Sequence, residues 1–372
     1  MNILFDGQIF GLQRYGGISR YVVELTTALA ALPGVRAGIV APLHINALLA
    51  ASGETTSCPS WFVPTWRQSI RRTLDILVTE PQLAFRRCNI LHATYYSRRR
   101  RPFGASRLVV TVHDMIHELF PDSFRYDDPT RELKRAAVLA ADHVICVSEN
   151  TRQDLCRLLN VPIERTSVVH HGVGPLSSLV EIGPPLVPVG LPYLLYVGAR
   201  GGYKNFSTLL RAVAGSPALR SRFRIVAFGG GPMASSEREL IVGLGLDACA
   251  VLHVVGDDAA LAGMYRSAAC FVCPSHYEGF GMPLLEAMAA SCPVISAGAS
   301  SMPEVAGPAA EYFDVNAGDA DLALADAIKR VVDDSSHRTE LIRLGRTRIA
   351  TFTWRQTAMQ TLRSYQTALS SG

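Results

Sequence analysis

Short runs of β-branched and aliphatic residues alternate along this chain with longer stretches in which apolar residues recur every three or four positions. Strands are expected at Asn2–Phe5, Ala37–Ala41, Asn89–Ala93, Leu108–Val112, His143–Val147 and Ser167–His170. Between the first two, Ile18, Tyr21, Val22, Leu25, Leu29 and Leu32 fall on one helical face. Ser148 follows its strand as an N-cap for a helix through Leu155 and Leu158. A second series is expected at Tyr193–Val197, Phe223–Phe228, Val251–Val255, Ala269–Cys273 and Pro293–Ser296. Strands that alternate with helices form parallel sheets, so the fold class is α/β with two doubly wound domains in tandem. The stretch Pro175–Pro192, with five prolines plus Gly183 and Gly190, interrupts the alternation. It places a first domain at 1–178, a linker and hinge at 179–192 and a second domain at 193–353. A last helix, Trp354–Leu369, comes after the second sheet is complete.

Length and composition narrow the class. The 372 residues are 48% hydrophobic and 18% charged, which excludes disorder and coiled coil. The longest uncharged run, Ile182–Ala199, carries Pro184, Pro185, Pro188 and Pro192 and cannot be a membrane helix. Asp6 inside the first apolar run argues against a signal peptide, and eight irregularly spaced cysteines do not form a disulfide framework. A cytoplasmic protein is expected. Residues 1–180 hold 20 Lys and Arg against 15 Asp and Glu, a surplus that suits a phosphate-bearing or membrane-surface partner better than nucleic acid. Trp61, Phe62 and Trp66 precede Arg67, Arg71 and Arg72, and Trp66, Ile70, Leu74 and Leu77 form a helical stripe. With the basic loop 98–101 they form a surface suited to an anionic bilayer, at the inner face of the cytoplasmic membrane, or an amphipathic helix packed on its own core.

Candidate chemistry gathers in loops after strands, where open α/β sheets bind ligands. Gly16 and Gly17 open the first long helix, whose free N–H groups suit phosphate; a flexible loop end is the alternative. His113-Asp114 follows Leu108–Val112 directly, and His117 completes an H-x-x-x-H spacing with no third ligand evident for a metal. Arg200 and Lys204 lie on a glycine-rich strand-to-helix loop, two cations suited to a diphosphate, with Asn205 as a cap for the next helix. Only Lys134, Lys204 and Lys329 represent lysine in the chain. Gly229-Gly230-Gly231 forms another loop after a strand, equally a tight turn. Cys270 and Cys273 form a C-x-x-C inside a strand and read as structural. The richest string runs from Ser275 to Ala287: Glu278 ends a loop, Gly279 and Gly281 free the backbone, Pro283 starts a helix and Glu286 falls one turn into it. Two carboxylates so placed can accept hydrogen bonds from the hydroxyls of a sugar or ribose.

These residues resemble the retaining glycosyltransferases of family 4, the group 1 glycosyltransferases with the GT-B fold. The resemblance rests on Arg14-Tyr15-Gly16-Gly17, Thr111-Val112-His113-Asp114, Tyr196-Val197-Gly198, Lys204-Asn205, the seven residues separating Glu278 from Glu286, and Pro303-Glu304-Val305, in order along essentially the whole chain. It implies two Rossmann-like domains facing a central cleft, the first binding a glycan or lipid-linked acceptor and the second a nucleotide-sugar, with the helix 354–372 crossing back onto the first. It also implies catalytic roles for His113, Arg200, Lys204 and Glu278. Donor contacts are implied for Gly16, Gly17, Phe280, Gly281 and Glu286, the last on ribose hydroxyls. GDP-mannose is the first donor implied and UDP-sugars the second, in surface polysaccharide assembly. Metal-independent transfer without a cofactor is expected. The spacing of Arg200 and Lys204 is shorter than in many members, and His171 stands where asparagine is commoner before Gly172. A sugar-nucleotide epimerase or phosphorylase on the same fold, or a non-catalytic nucleotide-binding protein, are the alternatives.

Overall fold

A computed structural model describes residues 1–52, 56, 58, 60–62, 79, 81–83, 86–98, 101, 103–174, 192–247 and 249–370. The linker 179–192, apart from Pro192, lies outside the described residues, as do residues 63–78 of the aromatic–basic stripe and Arg99 and Arg100.

The chain divides into two compact units. The first comprises Met1–Leu119, Tyr126–Gly172 and Thr353–Gly372; the second comprises Phe120–Arg125 and Val173–Phe352. The segment Phe120–Arg125 was expected in the first domain. Its Phe120 ring lies 5.5 Å from Tyr203 and 6.1 Å from Tyr277, contacts that ring periodicity within one segment cannot announce.

The first unit is built on a six-stranded sheet in the order β2-β1-β5-β6-β7-β8. Its strands are β1 (Asn2–Asp6), β2 (Arg36–Val40), β5 (Cys88–Ala93), β6 (Ala105–Val112), β7 (His143–Cys146) and β8 (Thr166–Val168). A separate pair, β3 (Leu43–His44) and β4 (Trp61–Phe62), was not expected. All neighbouring strands are parallel. The central strands bury both faces, which is why they read as continuous apolar runs. The helix Gly17–Ala30 buries Tyr21, Val22, Leu25 and Leu29 against this sheet, and the helix Trp354–Ser370 adds Ala358, Tyr365 and Ala368 to the same core. Ser148 caps the helix Glu149–Leu159, accepting from the Thr151 amide.

The second unit has the strand order β11-β10-β9-β12-β13-β14, all parallel. Its strands are β9 (Tyr193–Val197), β10 (Arg224–Phe228), β11 (Val251–Val254), β12 (Cys270–Cys273), β13 (Val294–Ala297) and β14 (Ala310–Phe313). The last was not expected, because a four-residue strand just after Gly307-Pro308 offers too little alternation. This is the 3-2-1-4-5-6 order of a dinucleotide-binding sheet, with its topological switch between β9 and β12. Cys270 and Cys273 are buried in β12, and burial pushes both thiols up to about 12. Among the described residues, no helix is long and apolar enough to cross a membrane.

Candidate functional site

In the second unit the loops leaving β9 and β12 are the two that flank the switch point, and they carry Lys204 and Glu278. The Lys204 ammonium donates to both carboxylate oxygens of Glu278, at 2.7 and 2.8 Å. Burial draws the ammonium's pKa down, but the Glu278 carboxylate more than offsets it, and Lys204 stays charged. Ser275 donates to Glu278 Oε1 at 2.7 Å, while the hydroxyls of Ser300 and Ser301 hold its carbonyl oxygen at 2.8 and 2.7 Å. The two loops are also stitched directly: the His276 amide donates to the Tyr203 carbonyl at 2.8 Å.

Asn205, expected as a helix cap, makes no side-chain cap. It adopts a left-handed conformation and turns its amide across to the Pro274 carbonyl at 3.1 Å, holding the β9 loop to the β12 loop. Arg200, expected beside a diphosphate, is bonded within the protein. Its guanidinium pairs with Glu237 at 2.8 Å and donates to the carbonyls of Gly229, Gly231 and Pro232 at 2.8, 2.9 and 3.0 Å. With its side chain 2% exposed, Arg200 is a strut for the triple-glycine loop. That explains the loop's composition. Gly230 has φ +73°, and a Cβ there would lie 2.2 Å from the Gly198 carbonyl oxygen and 2.9 Å from Arg200 Nη1.

Gly281 takes φ +91° at the start of the helix Met282–Ala289, a backbone region that favours glycine. Phe280 beside it is buried edge-on against Phe352. Glu286 lies one turn into that helix and accepts a 3.2 Å hydrogen bond from the hydroxyl of the fully buried Tyr265.

In the first unit, Gly16 in extended conformation precedes the helix Gly17–Ala30. Asp6 at the end of β1 accepts from the Thr94 amide and hydroxyl at 3.0 and 2.6 Å, joining β1 to β5 at this sheet's own switch point. His113 follows β6 and is nine-tenths buried, its Nε2 without a hydrogen-bond partner among the described residues. Its ring stacks parallel to His171 at 5.8 Å and meets Tyr21 edge-on at 5.2 Å. Tyr21 also contacts the rings of His171 and Trp354, so His171 belongs to this cluster. Behind it, the wholly buried Lys134 donates to the Asp114 carbonyl at 2.9 Å and to Glu118 at 2.8 Å. Among the described residues no group of three or more His, Cys, Asp or Glu side chains is placed to hold a metal ion, so His113 and His117 gain no third ligand there.

Burial holds His113 and His92 in the neutral form, each down to about 3, His113 aided by nearby His92 and Lys134. The sign follows. The unfolded chain takes up these protons near pH 6.5 while the folded one does not, so stability is lost as pH falls from there towards 3. Each histidine contributes about 1.4 kcal/mol per pH unit in that window. Thermal unfolding followed from pH 7 to 4 should show this fall. A melting temperature that held steady would remove these histidines from the account.

Both halves of the chain that carry these residues match known family descriptions. Residues 15–175 match the Glycosyltransferase Family 4 description, and residues 182–348 match Glycosyl transferases group 1. The chain belongs to the group 1 / family 4 glycosyltransferases. The glycosyltransferase is 29% identical over 276 residues to O-antigen chain mannosyltransferase B of Escherichia coli, covering 71% of each chain. Its fold is shared with sucrose-phosphate synthase from Thermosynechococcus elongatus at TM-score 0.72 and 21% identity, covering all of both chains. It is shared also with HepE from Anabaena, solved with UDP and glucose, at TM-score 0.68 and 18% identity over 100% of this chain and 99% of that one. The glycosyltransferase thus has two Rossmann-like sheets of the GT-B type. Lys134, Tyr265, the serines around Glu278 and the His171–Tyr21 cluster escaped sequence reasoning. The scarcity of lysine, which favours a role for Lys204, applies equally to Lys134.

Proposed function

We propose that this glycosyltransferase moves mannose from GDP-mannose, with retention at the anomeric carbon and without a metal, to a glycan or lipid-linked acceptor in surface polysaccharide assembly. The observation that carries the reading is the Lys204–Glu278 pair at the switch point of the second sheet, an ammonium and a carboxylate on the two loops where a diphosphate and its sugar would lie. As the bond from the anomeric carbon to the diphosphate breaks, negative charge grows on the leaving oxygen. Lys204 stabilises it, and the acceptor hydroxyl bonds to the carbon as its proton passes to the departing diphosphate oxygen. In the second unit Glu278 holds sugar hydroxyls and Glu286, oriented by Tyr265, holds those of the ribose. In the first unit the neutral His113 ring offers its Nε2, without a hydrogen-bond partner among the described residues, to a sugar hydroxyl. The mannose preference rests on the likeness to the Escherichia coli O-antigen mannosyltransferase. Trp61 and Phe62, 58% and 48% exposed, with the exposed Arg98 and Arg101, support an acceptor presented at an anionic membrane.

The test is one assay with several arms. Purified protein is given GDP-mannose, UDP-glucose and other nucleotide-sugars, with EDTA, and with lipid-linked acceptors in anionic or neutral vesicles. The expected result is nucleoside diphosphate release and an α-mannoside, unaffected by EDTA and faster on anionic vesicles. Transfer from UDP-sugars alone moves the donor to the second choice. An inverted product, a requirement for metal or equal rates on both vesicles would each remove that element of the reading.

A further inference from the structure

A continuous chain of buried polar groups crosses the first unit beneath His113, and the transfer chemistry above makes no use of it. Tyr365, on the helix Trp354–Ser370, places its hydroxyl 2.7 Å from Nδ1 of His92 on β5. Nε2 of His92 lies 2.9 Å from the Thr111 hydroxyl on β6, which is 3.2 Å from the hydroxyl of Tyr21 on the helix Gly17–Ala30. All four side chains are buried, each 3% exposed or less. Each member is bonded to the next, as buried polar groups must be, and such a chain fixes the geometry of the side chains in it.

We infer that Tyr365 is a positioning residue for His113, acting through His92, Thr111 and Tyr21. This rests on the reading that His113 faces the transferred sugar. Nε2 of His113 has no hydrogen-bond partner among the described residues, so the rings around it, rather than a bond at that nitrogen, aim it. The nearest of these is Tyr21, and Tyr21 is held by Thr111. Thr111 stands two residues before His113, and Tyr21 four residues after Gly17, so one hydroxyl contact locks the end of β6 to the start of that helix. A neutral imidazole donates through one nitrogen and accepts through the other. When the Tyr365 hydroxyl donates to Nδ1 of His92, Nε2–H donates to Thr111, whose own proton is then directed at Tyr21. One hydroxyl on the last helix therefore sets the sense of the whole chain.

Three variants test it: Tyr365→Phe, Thr111→Val and the two combined. Each single change is expected to lower kcat about fivefold to twentyfold, leaving the affinity for nucleoside diphosphate, which carries no sugar, unchanged. Because both break one chain, the double variant should be no worse than the worse single. The readout independent of activity is the ¹⁵N shift of the histidine rings, in which Tyr365→Phe should move His113 as well as His92. Wild-type kcat in a folded Tyr365→Phe protein overturns the inference, as do single effects that multiply in the double variant, or a His113 signal that stays in place. Should the wild type transfer no sugar from any donor, the proposed function falls, and the ring shifts still decide whether the relay exists.

Discussion

On the proposed reading, Lys204→Ala is expected to lower kcat roughly 30- to 1,000-fold, about 2–4 kcal/mol of barrier, because the charge on the departing diphosphate is greater in the transition state than in the bound donor. The pair with Glu278 adds a second consequence. Without its lysine, the Glu278 carboxylate keeps the Ser275 hydroxyl but faces an anionic diphosphate uncompensated, so the donor's affinity falls as well. The combined variant Lys204→Met with Glu278→Gln removes both charges. It should recover nucleotide affinity and leave turnover low. Glu286→Gln, in contrast, weakens an acceptor far from the breaking bond and should mainly raise the donor's KM. Steady-state kinetics with nucleotide titration separates these outcomes, and wild-type turnover in Lys204→Ala would dismiss the assignment of this loop.

Lys134→Ala should be the most damaging change to stability. The ammonium is wholly buried between the carboxylate of Glu118, itself 3% exposed, and the Asp114 backbone. Removing it leaves a buried carboxylate without its counter-charge, a loss of about 3–5 kcal/mol. In a unit of this size that corresponds to roughly 6–20 °C in Tm. Lys134→Met combined with Glu118→Gln removes both charges and should return most of the loss. Calorimetry of the variants checks this, and a single variant that melted with the wild type would show that Lys134 carries no such load.

Much of the site's composition was open to sequence reasoning, and its wiring was not. The seven-residue spacing of Glu278 and Glu286 places both on a loop-and-helix unit, which the helix Met282–Ala289 reproduces. Arg200 was legible as a cation on a glycine-rich loop, yet its partner Glu237 lies 37 residues away and only folding brings the two together. Asn205 shows the same limit: a residue type that caps helices is diverted to Pro274, 69 residues on, by the left-handed turn it occupies. Short strands without alternation, β3, β4 and β14, left no periodic trace.

By itself the sequence determined the alternation of strands and helices, the two α/β series and the order of motifs along them. These depend on side-chain periodicity and chain-local chemistry, which act over a few residues. The tertiary structure alone decided that Lys204 meets Glu278, that Arg200 serves the glycine loop, that Phe120–Arg125 belongs with the second unit, and that Tyr365 reaches Tyr21 through His92 and Thr111. Each depends on which strand lies beside which. That order follows from packing whole apolar faces together, and no local pattern records it.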